Sequence, residues 1–165
     1  MRTKAEFARA RRDARRERRL ADYRRGLRPF AVAVWNLTKE HNVGSLVRTA
    51  HAAAASEVLL VGDRDWNVEA ASTAELFTDV VQLDGAAALL DHLARRRWRL
   101  VAVELAPGSV NMLEARYPER PCFLLGAERG GVPAELLAAA AVTVEIPQWG
   151  LVGCLNVAAA GAIVI

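Results

Sequence analysis

Ile146-Pro147-Gln148-Trp149-Gly150-Leu151-Val152-Gly153-Cys154-Leu155-Asn156 leads without a break into the apolar run Val157 to Ile165. A proline and two glycines space out a loop after the strand-like run Val142 to Glu145, and the small apolar residues beyond Asn156 read as a buried helix. A loop of this composition lets backbone approach a ligand closely. Asn156 reads either as a helix cap or as the one polar group at the mouth of a site. The run ends Ala162-Ile163-Val164-Ile165 with no glycine, charge or cap. Either a few residues are missing or the helix ends against a partner, and the first is expected.

Outward from this loop, apolar runs alternate in period. Strands are expected at Phe30 to Trp35, Val58 to Val61, Val80 to Leu83, Leu100 to Leu105, Pro121 to Leu125 and Val142 to Glu145. Helices are expected at Gly44 to Ala54, near Val68 to Phe77, at Gly85 to Arg97 and at Pro133 to Ala140, the last with proline in its first turn. Strands separated by helices imply an α/β fold, a mostly parallel sheet with helices on both faces. Such sheets bind ligands at loops beyond the carboxyl ends of their strands.

The chain has 165 residues, 53% hydrophobic and 25% charged, enough for one domain with a proper core. Its apolar runs fall short of the roughly 18 to 20 residues of a membrane span, and its first residues are charged where a leader is apolar. A cytoplasmic protein with no membrane partner is expected. Cys122 and Cys154 have no CxxC or Cys/His spacing, so reduced thiols and no zinc are expected.

The net charge of +3 is unevenly spread: residues 1–28 carry twelve Arg or Lys against four Asp or Glu, which leaves 29–165 acidic. Arg11, Arg12, Arg15, Arg16, Arg18 and Arg19 recur on several faces of a helix whose apolar anchors are Phe7, Leu20 and Tyr23. Such an arm cannot be core. Residues 1–28 read as a basic arm that holds RNA phosphates, with a solvated tail as the alternative. The apolar face is too thin for a membrane-surface helix.

Three loops are candidate sites. Asn36 to Ala50 takes a polar loop into a helix, where Gly44 and Ser45 are expected to offer free N–H groups to an anion beside Arg48. Alone, Arg48 also reads as a surface charge and His41 as a loop histidine. Leu125-Gly126-Ala127-Glu128-Arg129-Gly130-Gly131-Val132-Pro133 is a glycine-rich turn. It lacks the Gly-Lys-Ser/Thr of a P-loop, and no GxGxxG follows the first strand, so ATPase and dinucleotide readings weaken. The third loop is Ile146 to Asn156.

Together, Asn42-x-Gly44-x-x-x-Arg48-Thr49-Ala50, Gly126-x-Glu128-x-x-Gly131-Val132 and Ile146-Pro147-x-x-Gly150-x-x-x-Cys154-Leu155-Asn156 resemble the three motifs of the SpoU/TrmH branch of the SPOUT RNA methyltransferases, over about Phe30 to Ile165. The resemblance implies transfer of methyl from S-adenosyl-L-methionine to a ribose 2′-hydroxyl of RNA. It also implies a homodimer and a C-terminal trefoil knot. It places catalytic roles on Arg48, Asn42, Glu128 and Asn156, and the cofactor beside Leu105, Gly126, Ile146, Cys154 and Leu155. Cys154 stands where the family usually has serine, and Arg129 where a small residue is common. The closing Ile-Pro-Gln-x-Gly with Gly-x-Glu-Arg looks most like members that modify a D-loop guanosine, so tRNA is preferred over rRNA.

Methyl transfer requires an oriented hydroxyl, a route for its proton and exclusion of water. An arginine acting as base would have to fall from a pKa of about 13 to near 7, roughly 8 kcal/mol. Arg48 is therefore expected to hold phosphate and stabilise the developing alkoxide. An RNA-binding module of the same fold without catalysis is the alternative, favoured by Cys154, with a nicotinamide-dependent enzyme a distant third.

Overall fold

In the computed structural model, which describes residues 4–35, 40–63, 65–128 and 130–165, the alternation of apolar strands and helices closes into one seven-stranded sheet. Helix α1 (Lys4–Arg25) precedes β1 (Arg28–Trp35), α2 (Glu40–Ala52), β2 (Ala55–Val61), β3 (Val80–Leu83), α3 (Ala86–Arg96), β4 (Arg99–Val103) and β5 (Val110–Asn111). The chain continues through β6 (Pro121–Leu125), α4 (Ala134–Ala139), β7 (Val142–Glu145) and α5 (Val157–Val164). The strand order is β3-β2-β1-β6-β4-β7-β5, and each pairing is parallel.

Alternation along β1 divides the core. Val32 and Val34 face one layer with Leu46 and Val47 of α2 and Val157 of α5, while Ala31 and Ala33 face the other with Leu89 of α3 and Leu136 of α4. Both faces of the sheet are thus covered, as near-continuous apolar strands require. The second layer holds a buried carboxylate, Glu57, beside His92 Nε2 at 3.2 Å, Arg96 Nη2 at 3.4 Å and the Trp98 indole N–H. Burial, with Glu57's charge behind it, pushes the Cys122 thiol well above its ordinary range. Cys122 therefore stays a neutral thiol and has no part as a nucleophile.

The expected strands at Val80–Leu83, Pro121–Leu125 and Val142–Glu145 form with those bounds, and β5 is an added two-residue strand paired to β7. Three expectations are corrected. Helix α2 begins at Glu40, four residues before Gly44, so Gly44 and Ser45 lie past its free N-terminal N–H groups and offer none to an anion. The stretch Val68 to Phe77 is two 3-10 turns, Val68–Ala71 and Ala74–Leu76, because Ser72 and Thr73 between them adopt left-handed backbone at φ 51° and 71°. Helix α5 is amphipathic rather than buried all round: Val157 and Gly161 are buried, Ile163 exposed. The loop 36–39 and Arg129 lie outside the described residues.

Gly44 is fixed by packing, since a Cβ there would meet Ala70 Cβ at 2.4 Å and Ala70 backbone carbon at 2.8 Å. Gly44→Ala gains about 1 kcal/mol of helix propensity against an overpacking cost of about 1–3 kcal/mol. A net loss of about 1 kcal/mol is expected, read as a lower urea midpoint at unchanged slope. A midpoint at or above wild type would show that the turn at Ala70 yields freely.

Candidate functional site

Strands β1, β4, β6 and β7 run in one direction, so the loops that leave their carboxyl ends meet on one edge of the sheet. They enclose a cavity of about 460 Å³, within the range of small-molecule and cofactor sites. Each of the expected cofactor residues Leu105, Gly126, Ile146, Cys154 and Leu155 lines it, and so do Asn42, Glu128 and Asn156.

The β6–α4 turn owes its shape to glycine at two points. A Cβ on Gly126 would fall 2.5 Å from Gly131 carbonyl carbon, and Gly131 itself has φ +61°. The turn closes through Ala127 N–H to Gly131 O and Gly131 N–H to Ala127 O, both 3.2 Å. Glu104, at the end of β4, then fits against Gly131: its carboxylate accepts from Val132 N–H at 2.8 Å and from Leu105 N–H at 3.1 Å. Glu104 ties the β4 and β6 loops together at the cavity wall. Sequence reading passed over it, although a carboxylate ending the apolar run Leu100-Val-Ala-Val103 was the available signal.

The three loops are joined by one directed chain of hydrogen bonds. Asn42 Nδ2 donates to Glu128 Oε1 at 2.8 Å, and Asn156 Nδ2 donates to Asn42 Oδ1 at 3.0 Å. Asn156 Oδ1 accepts from Ala158 N–H at 2.9 Å and Ala159 N–H at 3.2 Å, capping α5. An ionised carboxylate only accepts, so each amide in the chain has one permitted orientation. Asn156 is therefore both the cap and a member of the site. Arg48 is not in this chain: it is exposed two turns along α2, does not line the cavity, and reaches Ser72 Oγ at 3.5 Å. His41 is exposed in the first turn of α2.

Cys154 is an exposed free thiol at the cavity wall. Trp149, Leu151 and Val152 beside it are exposed apolar side chains. At the other end of the chain, α1 carries Arg11, Arg12, Arg15, Arg16, Arg18 and Arg19 exposed, and Leu20 and Tyr23 half-buried. Among the described residues no helix is long and apolar enough to cross a membrane.

The two jobs of Asn156 separate by substitution. Asn156→Ala removes the cap, and a loss of about 1 kcal/mol in unfolding free energy is expected. Asn156→Asp keeps an acceptor for Ala158 and Ala159 but opposes Asn42 with a second acceptor, so stability within about 0.5 kcal/mol of wild type is expected, favoured by charge at a helix N-terminus. Equal losses in the two variants, measured by urea unfolding, would contradict the assignment of the cap.

The SpoU rRNA Methylase family profile matches residues 29–165. The mouse tRNA (guanosine(18)-2′-O)-methyltransferase TARBP1 is 34% identical over 138 residues, 78% of this chain and 8% of the mouse protein. The tRNA (guanosine(18)-2′-O)-methyltransferase of Escherichia coli K12 is 31% identical over 139 residues, 82% of this chain and 61% of that enzyme. The crystal structure of an AdoMet-bound rRNA methyltransferase from Sinorhizobium meliloti superposes with a TM-score of 0.72 at 28% identity, covering 86% of this chain and 57% of that one. The chain thus spans less than two thirds of the length of each of these three relatives. With the profile running from the start of the sheet through α5, and the three loops it joins meeting in one cavity, the chain belongs to the SpoU methylase family.

Proposed function

We propose that the chain transfers methyl from S-adenosyl-L-methionine to a ribose 2′-hydroxyl of RNA. The observation that carries the reading is the single cavity where the three family loops meet, with Asn42, Glu128 and Asn156 hydrogen-bonded along its rim. The relatives' names support a tRNA substrate, and the closing loop supports a guanosine in an exposed tRNA loop; rRNA is the second substrate class.

The cavity fits the cofactor in kind: it joins the apolar side chains of Leu105, Ile146 and Leu155 to the backbone of the Gly126 turn, and it holds two carboxylates, Glu104 and Glu128, suited to a cationic ligand. When bound there, the cofactor supplies an activated methyl on a positively charged sulfur. The chain's residues do the rest. Apolar walls exclude water from the methyl, and the amide chain fixes Glu128 at the rim where the ribose enters. Arg48 stands outside the cavity, where RNA rather than cofactor would lie. A guanidinium stays protonated in proteins, so its part is to hold the phosphate beside the reacting ribose and offset charge on the attacking oxygen.

The exposed Trp149, Leu151 and Val152 support a homodimer, since a contiguous apolar segment of this kind is ordinarily covered by a partner. The family's knot is supported by the path of the chain, which leaves β7 and returns to pack α5 on α2 and β6. Residues 1–28 act as an RNA-docking arm on the methyltransferase domain 29–165, working in the cytoplasm.

With labelled cofactor and total tRNA, wild type should incorporate methyl, and Arg48→Ala should fall below about a tenth of that rate, a loss of more than about 1.4 kcal/mol. Cofactor affinity by calorimetry should stay within a few-fold. Arg48→Ala turnover near wild type would remove it from the mechanism, and no transfer by wild type to tRNA or rRNA would leave an RNA-binding module. Deleting residues 1–28 should lower the log–log salt slope of RNA binding by about three to five, for about four to six phosphates released. An unchanged slope would make the arm a solvated tail.

A further inference from the structure

Four of the arm's arginines are set apart by the fold. Arg12, Arg15, Arg16 and Arg19 lie on one face of α1 at spacings of three and four, and they line a groove of about 480 Å³ between the arm and the body. Arg11 and Arg18 do not line it. The rest of the wall is Leu20 and three aromatic rings, Tyr23, His51 and Phe77. The rings form a row: Tyr23 and His51 centroids are 4.6 Å apart, His51 and Phe77 6.0 Å.

The row is held in place by groups that leave its faces available. Tyr23 O–H donates to His51 O at 3.3 Å, and burial raises the phenol's pKa, opposed in part by Thr78, so the proton stays on. Thr78 O–H donates to Ala74 O at 2.9 Å, and its oxygen lies 3.3 Å from His51 Nδ1. With its one proton committed to Ala74, Thr78 accepts from Nδ1–H, which makes Nε2 the acceptor nitrogen of the ring.

Four guanidiniums converging beside three aromatic faces match one chemistry, a polyanion whose units carry flat rings. We propose that this groove is a second RNA site, separate from the methyl-transfer cavity, which takes an unpaired nucleotide of the substrate with its phosphates on the arginines and its base on the Tyr23–His51–Phe77 row. An acidic peptide or anionic lipid surface would use the arginines and leave the rings idle. Helix α2 connects the two sites. Asn42 stands at the cavity and His51 at the groove, nine residues or about 14 Å apart at about 1.5 Å per residue, with Arg48 between them. RNA held in the groove is thereby led past Arg48 to the cavity. This inference rests on the RNA reading above and deepens it.

The test uses two fluorescein-labelled single-stranded probes of equal charge, a uridine 12-mer and a fully abasic 12-mer, with binding followed by anisotropy at low salt. Phe77→Leu keeps apolar volume and removes an aromatic face. It should weaken the uridine 12-mer at least fivefold, as loss of base stacking does, while affinity for the abasic 12-mer stays within twofold. Intact protein should also prefer the uridine probe to the abasic one. Equal loss on both probes, or loss on neither, overturns the base site and leaves a charged surface; stronger binding to anionic phospholipid vesicles than to either probe overturns it in favour of a membrane surface. Methyl transfer by wild type to tRNA is measured separately, so failure of the groove leaves the cavity's function standing.

Discussion

The acceptor-only carboxylate of Glu128 sets the order of the site. Because it must receive a proton, Asn42 turns its Nδ2 toward it and its Oδ1 toward Asn156, and Asn156 must then donate to Asn42 and offer its own Oδ1 to the first turn of α5. Each such bond contributes only about 0.5–1.5 kcal/mol net, so the chain is not what folds the protein. Its effect is on geometry: it joins residues 86 and 114 positions apart and so locks α2, the β6–α4 turn and α5 into one arrangement. Glu104 repeats the device at the cavity wall, with its carboxylate pinning the glycine turn to the end of β4. The loops are mobile by composition and fixed by these two acids.

Much of this was legible in the residues. Apolar, β-branched runs such as Val80-Val-Gln-Leu83 and Pro121-Cys-Phe-Leu-Leu125 are marked at both ends by charge, Gly or Pro, and they form strands with those bounds. The start of α2 was not legible, because Glu40, His41 and Asn42 are polar and read as loop, yet they occupy the first helical turn before the apolar face begins at Val43. The 3-10 turns were missed for a different reason. Their helical period is real, but Ser72 and Thr73 sit in left-handed backbone between them, a choice made by tertiary packing against α2. Motif spacing brought the right residues to one cavity. It did not reveal that Asn156 serves as cap and site member together, or that Arg48 stands outside the cavity, because direction along a helix is visible only once the helix start is known.

The arm shows the same limit more sharply. Its charge is plain in the sequence, whereas the groove it makes depends on which face of α1 meets the body. Tyr23, noticed as an apolar anchor, proves to be the end of an aromatic row completed by His51 and Phe77 from distant elements. Charge without direction attracts any polyanion; charge beside stacked rings selects one with bases.

The central claim is that the cavity and Arg48 act on a ribose hydroxyl rather than on a base. The most direct measurement is the chemical position of a labelled methyl after reaction with total tRNA and complete alkaline hydrolysis. Alkali cleaves RNA through a free 2′-hydroxyl, so the account predicts label in alkali-resistant dinucleotides. Label recovered in single nucleotides would place the methyl on a base and contradict it.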